Sequence, residues 1–309
     1  MRHFIDLTDW STEEIQHLLD LSIELKQEYK TEGNRPLLKG KALACIFEKP
    51  SLRTRVSFEV GMHHLGGTAL SLLPSEIGLG KRESIADVAR TLSSYVHCIM
   101  ARVFDHQVLL ELAKYSSAPI INGLSDTQHP CQTLADLLTI REHFGQLKGL
   151  NIVYVGDGNN VATSLLHGAA HVGSNFTLAA PAGYSISEEE IERISTLANE
   201  NETKINLYHD PVEAVRHADV IYTDTWVSMG QEDDTSRRLQ DLASYQVNPA
   251  LLAHAPAHAI VMHCLPAHRG QEILDEVADG PQSAIFQQAE NRLHAQKAVL
   301  VELMTNQAE

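Results

Sequence analysis

The sequence predicts an α/β fold of two lobes, each a parallel sheet flanked by helices, with a cleft between them. Three observations predict it. Short apolar runs alternate with segments of helical period along most of the chain, the pattern of strands joined by crossover helices. The 309 residues suffice for one large or two medium domains. The alternation also pauses at a long helical segment, Thr133–Phe144, and then starts afresh.

The first lobe opens with Ser11, a helix cap whose capping box is completed by Glu14. Ile15, Leu18, Leu19, Leu21, Ser22 and Leu25 carry the inner face of that helix to about Tyr29. Strands follow at 42–47, 68–73, 98–103 and 119–122, with helices at 56–65, 83–95 and 107–115 between them. Gly66-Gly67 ends the helix that precedes the second strand. Pro74 to Arg82 reads as a loop, and His63-His64 as surface residues of a helix. In the second lobe strands are expected at 150–155, 175–180, 204–208, 218–223 and 259–264. Helices are expected at 161–172, 187–201 and 210–217, and a polar loop from Asp224 through Arg238. A closing helix at 284–304 is expected to pack back on the first lobe. The domains are therefore residues 1–143, residues 144–283, and a C-terminal segment 284–309 returning to the first. Each lobe is Rossmann-like.

Composition narrows the function. The chain is 43% hydrophobic and no apolar run is long enough for a membrane span. A formal net charge of −16 argues against nucleic acid or anionic lipid as partner. The opening residues lead at once into an acidic amphipathic segment, so no signal peptide is expected. Cys45, Cys98, Cys131 and Cys264 lack CxxC spacing, which fits a reducing, cytoplasmic setting. The 17 histidines form no HExxH or similar pattern, so no metal is inferred.

The chemistry gathers at strand ends, where open parallel sheets bind ligands. After the first strand, Pro50 stops the run, and Ser51, Arg53, Thr54 and Arg55 lead into a helix, with Ser51 and Thr54 as cap candidates. Free N–H groups, a helix N-terminus and forked guanidinium donors make an anion seat. Such a turn by itself is equally a solvated one with surface arginines. Arg102 and His129 also follow strands of the first lobe; Gly156–Asn160, Asp224 and Cys264 follow strands of the second. Gly156-Asp157-Gly158-Asn159-Asn160 superficially has a dinucleotide fingerprint, but that pattern needs Gly where Val161 stands. No nicotinamide or other cofactor is expected, and Asn160 suits a small polar ligand. Asp224 is suited to an ammonium, and Ser228 and Gly230 to a closing lid, although by itself such an Asp is more often a helix cap before a loop. Cys264 alone is more often a core thiol than a reactive one.

Taken together, Ser51-x-Arg53-Thr54-Arg55, Arg102, His129-Pro130-Cys131-Gln132, Asp224-x-Trp226-x-Ser228-Met229-Gly230, His263-Cys264-Leu265-Pro266 and Asn291-Arg292 resemble the aspartate/ornithine carbamoyltransferases. The resemblance runs in order over nearly the whole chain, and the Ser228 and His263 motifs are similar to its ornithine branch. It implies transfer of a carbamoyl group from carbamoyl phosphate to the δ-amine of L-ornithine, giving citrulline and phosphate, in arginine biosynthesis. It also implies a homotrimer or a multiple of trimers. By the same resemblance, Ser51, Leu52 through its backbone, Arg53 and Thr54 would hold the phosphate. Arg102, His129 and Gln132 would hold the carbamoyl end, and Asn160, Asp224, Ser228 and Met229 the amino-acid end of ornithine. Cys264, Leu265 and Arg292 would lie where the substrates meet, which also makes them carbamoyl phosphate ligands. Cys264, Arg102 and His129 would be the catalytic groups.

The ornithine amine must lose its proton before attack, and Arg53, Arg55 and Arg102 favour that loss. Carbamoyl phosphate is expected to bind first, with loop 228–230 then closing over ornithine. Two positions depart from the family pattern. Leu52 stands where most members have Thr, as it does in relatives that act on acylated ornithine. Near Gly78 the chain lacks the Gln or His that many ornithine enzymes carry.

Overall fold

The computed structural model describes residues 1–227 and 232–305. Two compact units result: Met1–Leu138 together with the chain from Glu290 onward, and Thr139–Ala289.

In the first unit, α1 (Thr12–Thr31) opens with the capping box: Glu14 N–H donates to Ser11 Oγ, and Ser11 N–H to Glu14 Oε2. Then follow β1 (Ala42–Phe47), α2 (Leu52–His64), β2 (Thr68–Leu72), α3 (Pro74–Ile77), α4 (Ile85–Tyr95), β3 (Cys98–Arg102), α5 (His106–Tyr115) and β4 (Ile120–Leu124). The four strands are parallel in the order β2-β1-β3-β4. β1 and β3 are buried along almost their whole length, as strands covered on both faces must be. Ala44, Ile46, Ile99, Ala101, Leu109, Leu112 and Ile120 form one core cluster there. The chain winds outward from β1 to β2, then jumps back over β1 to β3. The sheet thus reverses direction between β1 and β3, which leaves a crevice outside their carboxyl ends.

Helix α6 (Pro130–Phe144) leads into the second unit, and α13 (Ile285–Thr305) leads out of it. The elements there are β5 (Asn151–Val155), α7 (Asn160–Val172), β6 (Asn175–Ala179), α8 (Glu188–Glu200), β7 (Ile205–Tyr208), α9 (Pro211–Val215), β8 (Val220–Thr223), α10 (Thr235–Leu242), α11 (Pro249–Leu252), β9 (Ile260–His263) and α12 (Asp275–Ala278). The five parallel strands run β7-β6-β5-β8-β9, so the reversal falls between β5 and β8. Gly156 and Gly158 shape the turn that leaves β5. Gly156 has φ +135°, open to glycine and costly to other residues. Gly158 lies against the backbone of 184–186, where a Cβ would sit 2.5 Å from Ile186 N.

Several boundaries differ from expectation. α2 starts at Leu52, not near Val56, because Ser51 caps it. α6 begins at Pro130, where a missing N–H costs a helix nothing. The fourth strand runs on to Leu124. α10 occupies the end of the expected polar loop; it buries only Leu242, so no apolar period announces it. α3 occupies part of the loop expected from Pro74. His63 is exposed, whereas His64 is half-buried and stacked on Tyr29 with ring centroids 4.3 Å apart.

Gly158→Ala forces the α7 turn away from the 184–186 backbone. It should destabilise the fold by about 1–3 kcal/mol. Denaturant unfolding checks this; an unchanged midpoint refutes the close-approach reading.

Candidate active site

In the first unit the switch point is built from both sides. Glu48 N–H donates to the Arg102 carbonyl at 2.9 Å, and Glu48 Oε2 accepts from Phe104 N–H at 2.9 Å. The ends of β1 and β3 are thereby braced. Ser51 caps α2, its Oγ accepting from Thr54 N–H at 3.2 Å. Leu52 is 73% exposed and occupies the first helical position, so its contribution there is a backbone amide.

Thr54, Arg102, His129, Gln132 and Arg292 are all buried. Arg292 comes from α13 and donates from Nη1 to Gln132 Oε1 at 2.7 Å and from Nη2 to Thr54 Oγ1 at 3.1 Å. Gln132 Nε2 donates in turn to Asp136 Oδ1 at 2.8 Å, which fixes the orientation of its amide. Gln296 accepts from Arg292 Nε and donates to Ser57 Oγ at 2.7 Å. His129 opens α6 in the same region. Burial, followed by the charges of Arg292, Arg102 and Arg53, holds its ring well below the ordinary imidazole range. His129 is therefore neutral at physiological pH. The structure brings Arg53, Thr54, Arg102, His129, Gln132 and Arg292 into one cationic cluster in an acidic protein. Arg55 differs: it is exposed and its charge is answered by Glu59 at 3.0 Å.

In the second unit, Asn159 caps α7, its Oδ1 accepting from the amides of Val161 and Ala162. Tyr154 donates its hydroxyl to the same oxygen at 3.1 Å. With Oδ1 so engaged, Asn159 Nδ2 points to Asp224 Oδ2 at 2.9 Å. The other Asp224 oxygen receives Cys264 Sγ at 2.9 Å. Asp224 is thus oriented from both sides. Asn160, the first residue of α7, is half-buried. Cys264, expected in a buried strand, is half-buried just past β9. Leu265 follows with φ 58°. Ser228 and Met229 lie outside the described residues. Arg238 donates to the Trp226 carbonyl at 2.6 Å and pairs with Asp157. Burial keeps the Asp157 carboxyl above its usual range, against the pull of Arg238.

Asp224, His263 and Cys264 offer potential ligand atoms within 4.8 Å of one another. His263 already has both ring nitrogens engaged, Nδ1 by Leu265 N–H and Nε2 by Glu272, so hydrogen bonding accounts for this trio. The three other cysteines are buried, and none of the four is in a disulfide. Burial pushes the Cys131 thiol up to about 12.

The sequence reading selected Asn160 and passed over Asn159. An Asn at the strand-to-helix turn was the available signal, since Asn is a preferred cap. Arg238 and Glu272 had no sequence signal, because neither belongs to a periodic or spaced motif.

The state of His129 has a stability consequence. Below pH 6.5 the unfolded chain takes up a proton that the folded site refuses, so stability falls as pH drops through that window. One such group contributes up to about 1.4 kcal/mol per pH unit. His129→Gln should therefore lose less stability than the parent between pH 7 and pH 5.5 in urea unfolding. An equal loss in both proteins refutes the assignment.

Comparison with known proteins agrees with this architecture. Residues 2–142 match the family description "Aspartate/ornithine carbamoyltransferase, carbamoyl-P binding domain". Residues 148–303 match its "Asp/Orn binding domain". An ornithine carbamoyltransferase of Anoxybacillus flavithermus is 52% identical over 303 residues, 98% of this chain and 96% of that protein. An anabolic ornithine carbamoyltransferase of Pyrococcus furiosus is 51% identical, with the same two coverages. The solved ornithine carbamoyltransferase from Pyrococcus furiosus superposes with a TM-score of 0.97 at 50% identity, covering 99% of this chain and 98% of that one. This chain belongs to the aspartate/ornithine carbamoyltransferase family.

Proposed function

We propose that the chain transfers the carbamoyl group of carbamoyl phosphate directly to the δ-amine of L-ornithine, in the biosynthetic direction, without a covalent enzyme intermediate. The observation that carries this reading is the cluster of Arg53, Arg102 and Arg292 around a neutral His129, in a chain of net charge −16. Such a cluster suits a small dianion next to a polar carbonyl.

The α2 N-terminus would receive the phosphate, through Ser51, the Leu52 amide, Arg53 and Thr54. Arg102, His129 and Gln132 would hold the carbamoyl group, with Arg292 behind Thr54 and Gln132. In the second unit Asn160, Asp224, Ser228 and Met229 would hold ornithine, with Cys264 and Leu265 at the reacting end. A free amine of this kind has a pKa of about 10.4. Desolvation and nearby guanidinium groups lower it, so the neutral nucleophile becomes accessible. The amine nitrogen then attacks the carbamoyl carbon. Arg102, Thr54 and His129 would donate to the oxyanion that develops. The C–O bond to phosphate breaks, and the amine proton leaves with phosphate or by way of Cys264 and Asp224. Holding two substrates in line supplies much of the acceleration.

Self-association has its own support. β2 is a sheet edge with one neighbour, and Leu52, Val56, Leu70 and Leu73 of α2 and the β2 region are exposed. An open apolar edge is ordinarily covered. We read the chain as a homotrimer or a multiple of it. Four cysteines outside any disulfide fit a cytoplasmic setting. No helix among the described residues is long and apolar enough to cross a membrane.

Citrulline formation should favour ornithine over N-acetylornithine, putrescine and aspartate, measured side by side. Asp224→Asn should raise the ornithine KM about 10- to 100-fold while leaving that of carbamoyl phosphate nearly unchanged. Another acceptor winning, or no turnover with any, overturns the reading. Light scattering should give a mass that is a multiple of three chains, and a monomer or dimer would refute the trimer.

A further inference from the structure

The turn after β9 contains a backbone conformation that needs an explanation. Leu265 has φ 58°, in the left-handed region that a leucine rarely adopts. Such a residue persists where its surroundings over-determine it. Its amide donates to His263 Nδ1 at 2.9 Å. That nitrogen must then present its lone pair, so the ring proton resides on Nε2. Nε2 lies 3.1 Å from Glu272 Oε1, and both side chains are fully buried. The same carboxylate oxygen accepts His268 N–H at 2.5 Å. The His268 ring in turn meets Thr225 Oγ1 at 2.9 Å, next to Asp224. A chain of hydrogen bonds therefore runs from His263 at the end of β9 through Glu272 and His268 to Thr225, which adjoins Asp224; Cys264 adjoins His263.

We infer that Glu272 is a positioning residue for carbamoyl transfer: it holds His263 in the Nε2–H tautomer that receives the Leu265 amide, and so keeps Cys264 against Asp224. The inference rests on the reading of Asp224, Cys264 and Leu265 proposed above. Glu272 touches no substrate in it. It acts through His263, as carboxylates that orient imidazoles do elsewhere. A carboxylate suits the task because it accepts from the imidazole and from a backbone amide together and offers no competing donor.

The discriminating comparison is Glu272→Gln against Glu272→Leu. Gln keeps an acceptor for His263 Nε2–H; Leu keeps bulk and removes it. Two readouts are taken, kcat for citrulline formation and the rate at which iodoacetamide labels Cys264. The second is specific, since Cys45, Cys98 and Cys131 are fully buried. Glu272→Leu should lower kcat by about tenfold or more. It should speed labelling about threefold or more as Sγ leaves Asp224. Glu272→Gln should restore most of both, and binding of inorganic phosphate by calorimetry should be the same in the two variants.

Wild-type kcat and labelling in Glu272→Leu would overturn the inference, as would equal losses in Leu and Gln. If Glu272→Leu does not fold, His263→Asn and His263→Leu read the same turn. Asn keeps an acceptor near the place of Nδ1, and Leu has none. Equal behaviour of those two overturns the inference; faster labelling in Leu alone supports it. A parent protein that does not carbamoylate ornithine would overturn the function proposed above. The labelling contrast would still report on the Glu272–His263 turn by itself.

Discussion

A guanidinium buried in the first unit ties together three distant stretches of sequence. Arg292, on the C-terminal helix, reaches Thr54 in the first turn of α2 and Gln132 in the first turn of α6. A cation in that position is tolerated only with several hydrogen bonds. The partners named here are a hydroxyl, an amide carbonyl and Gln296, all neutral, so its field still reaches the His129 ring. Burial first, and then this field with those of Arg102 and Arg53, keep His129 neutral; the same guanidinium fixes the amide of Gln132 and joins the first turns of two helices. The surrounding shell is polar as well: Ser57, Asp136 and Gln296 are engaged in hydrogen bonds.

Both units obey the same topological rule. Each sheet reverses winding once, between β1 and β3 in one and between β5 and β8 in the other. Residues 51–54 and Arg102 stand at those strand ends in the first unit, with His129 and Gln132 after β4; Asn159 and Asp224 stand at them in the second, with Cys264 after β9. The chemistry placed there is opposite in sign. The first switch point collects arginines at a helix start, and the second collects Asp224 between an asparagine and a thiol. Opposite signs suit an anionic substrate and a cationic amino-acid terminus.

In the second unit, precision comes from backbone turns rather than from a charged cluster. Gly158 lets the chain pass against residues 184–186, which sets Asn159 at the mouth of α7. Asn159 then orients Asp224, and Arg238 clamps Trp226 to Asp157. Past β9, a left-handed leucine donates its amide to His263, next to the Cys264 that meets Asp224. Each device positions a group without touching the ligand that group would hold.

The sequence by itself determined the alternation of strands and helices, the capping of α1 and α2, and the strand-end residues Ser51, Arg102, His129 and Asp224. Those signals are local: a strand's buried run, a cap's hydroxyl and a glycine turn depend on neighbours a few residues away. It also carried the family resemblance, because motifs such as His263-Cys264-Leu265-Pro266 are contiguous. Tertiary structure alone decided that Arg292 bonds Thr54, 238 residues away in sequence. It alone decided that Asn159 grips Asp224, and that Glu272 meets His263. The polar helix α10 was equally invisible, since a helix that buries one leucine has no apolar period to read. Long-range pairing of polar groups leaves no periodic trace in a sequence. It depends on which helix and strand ends the sheet order brings together.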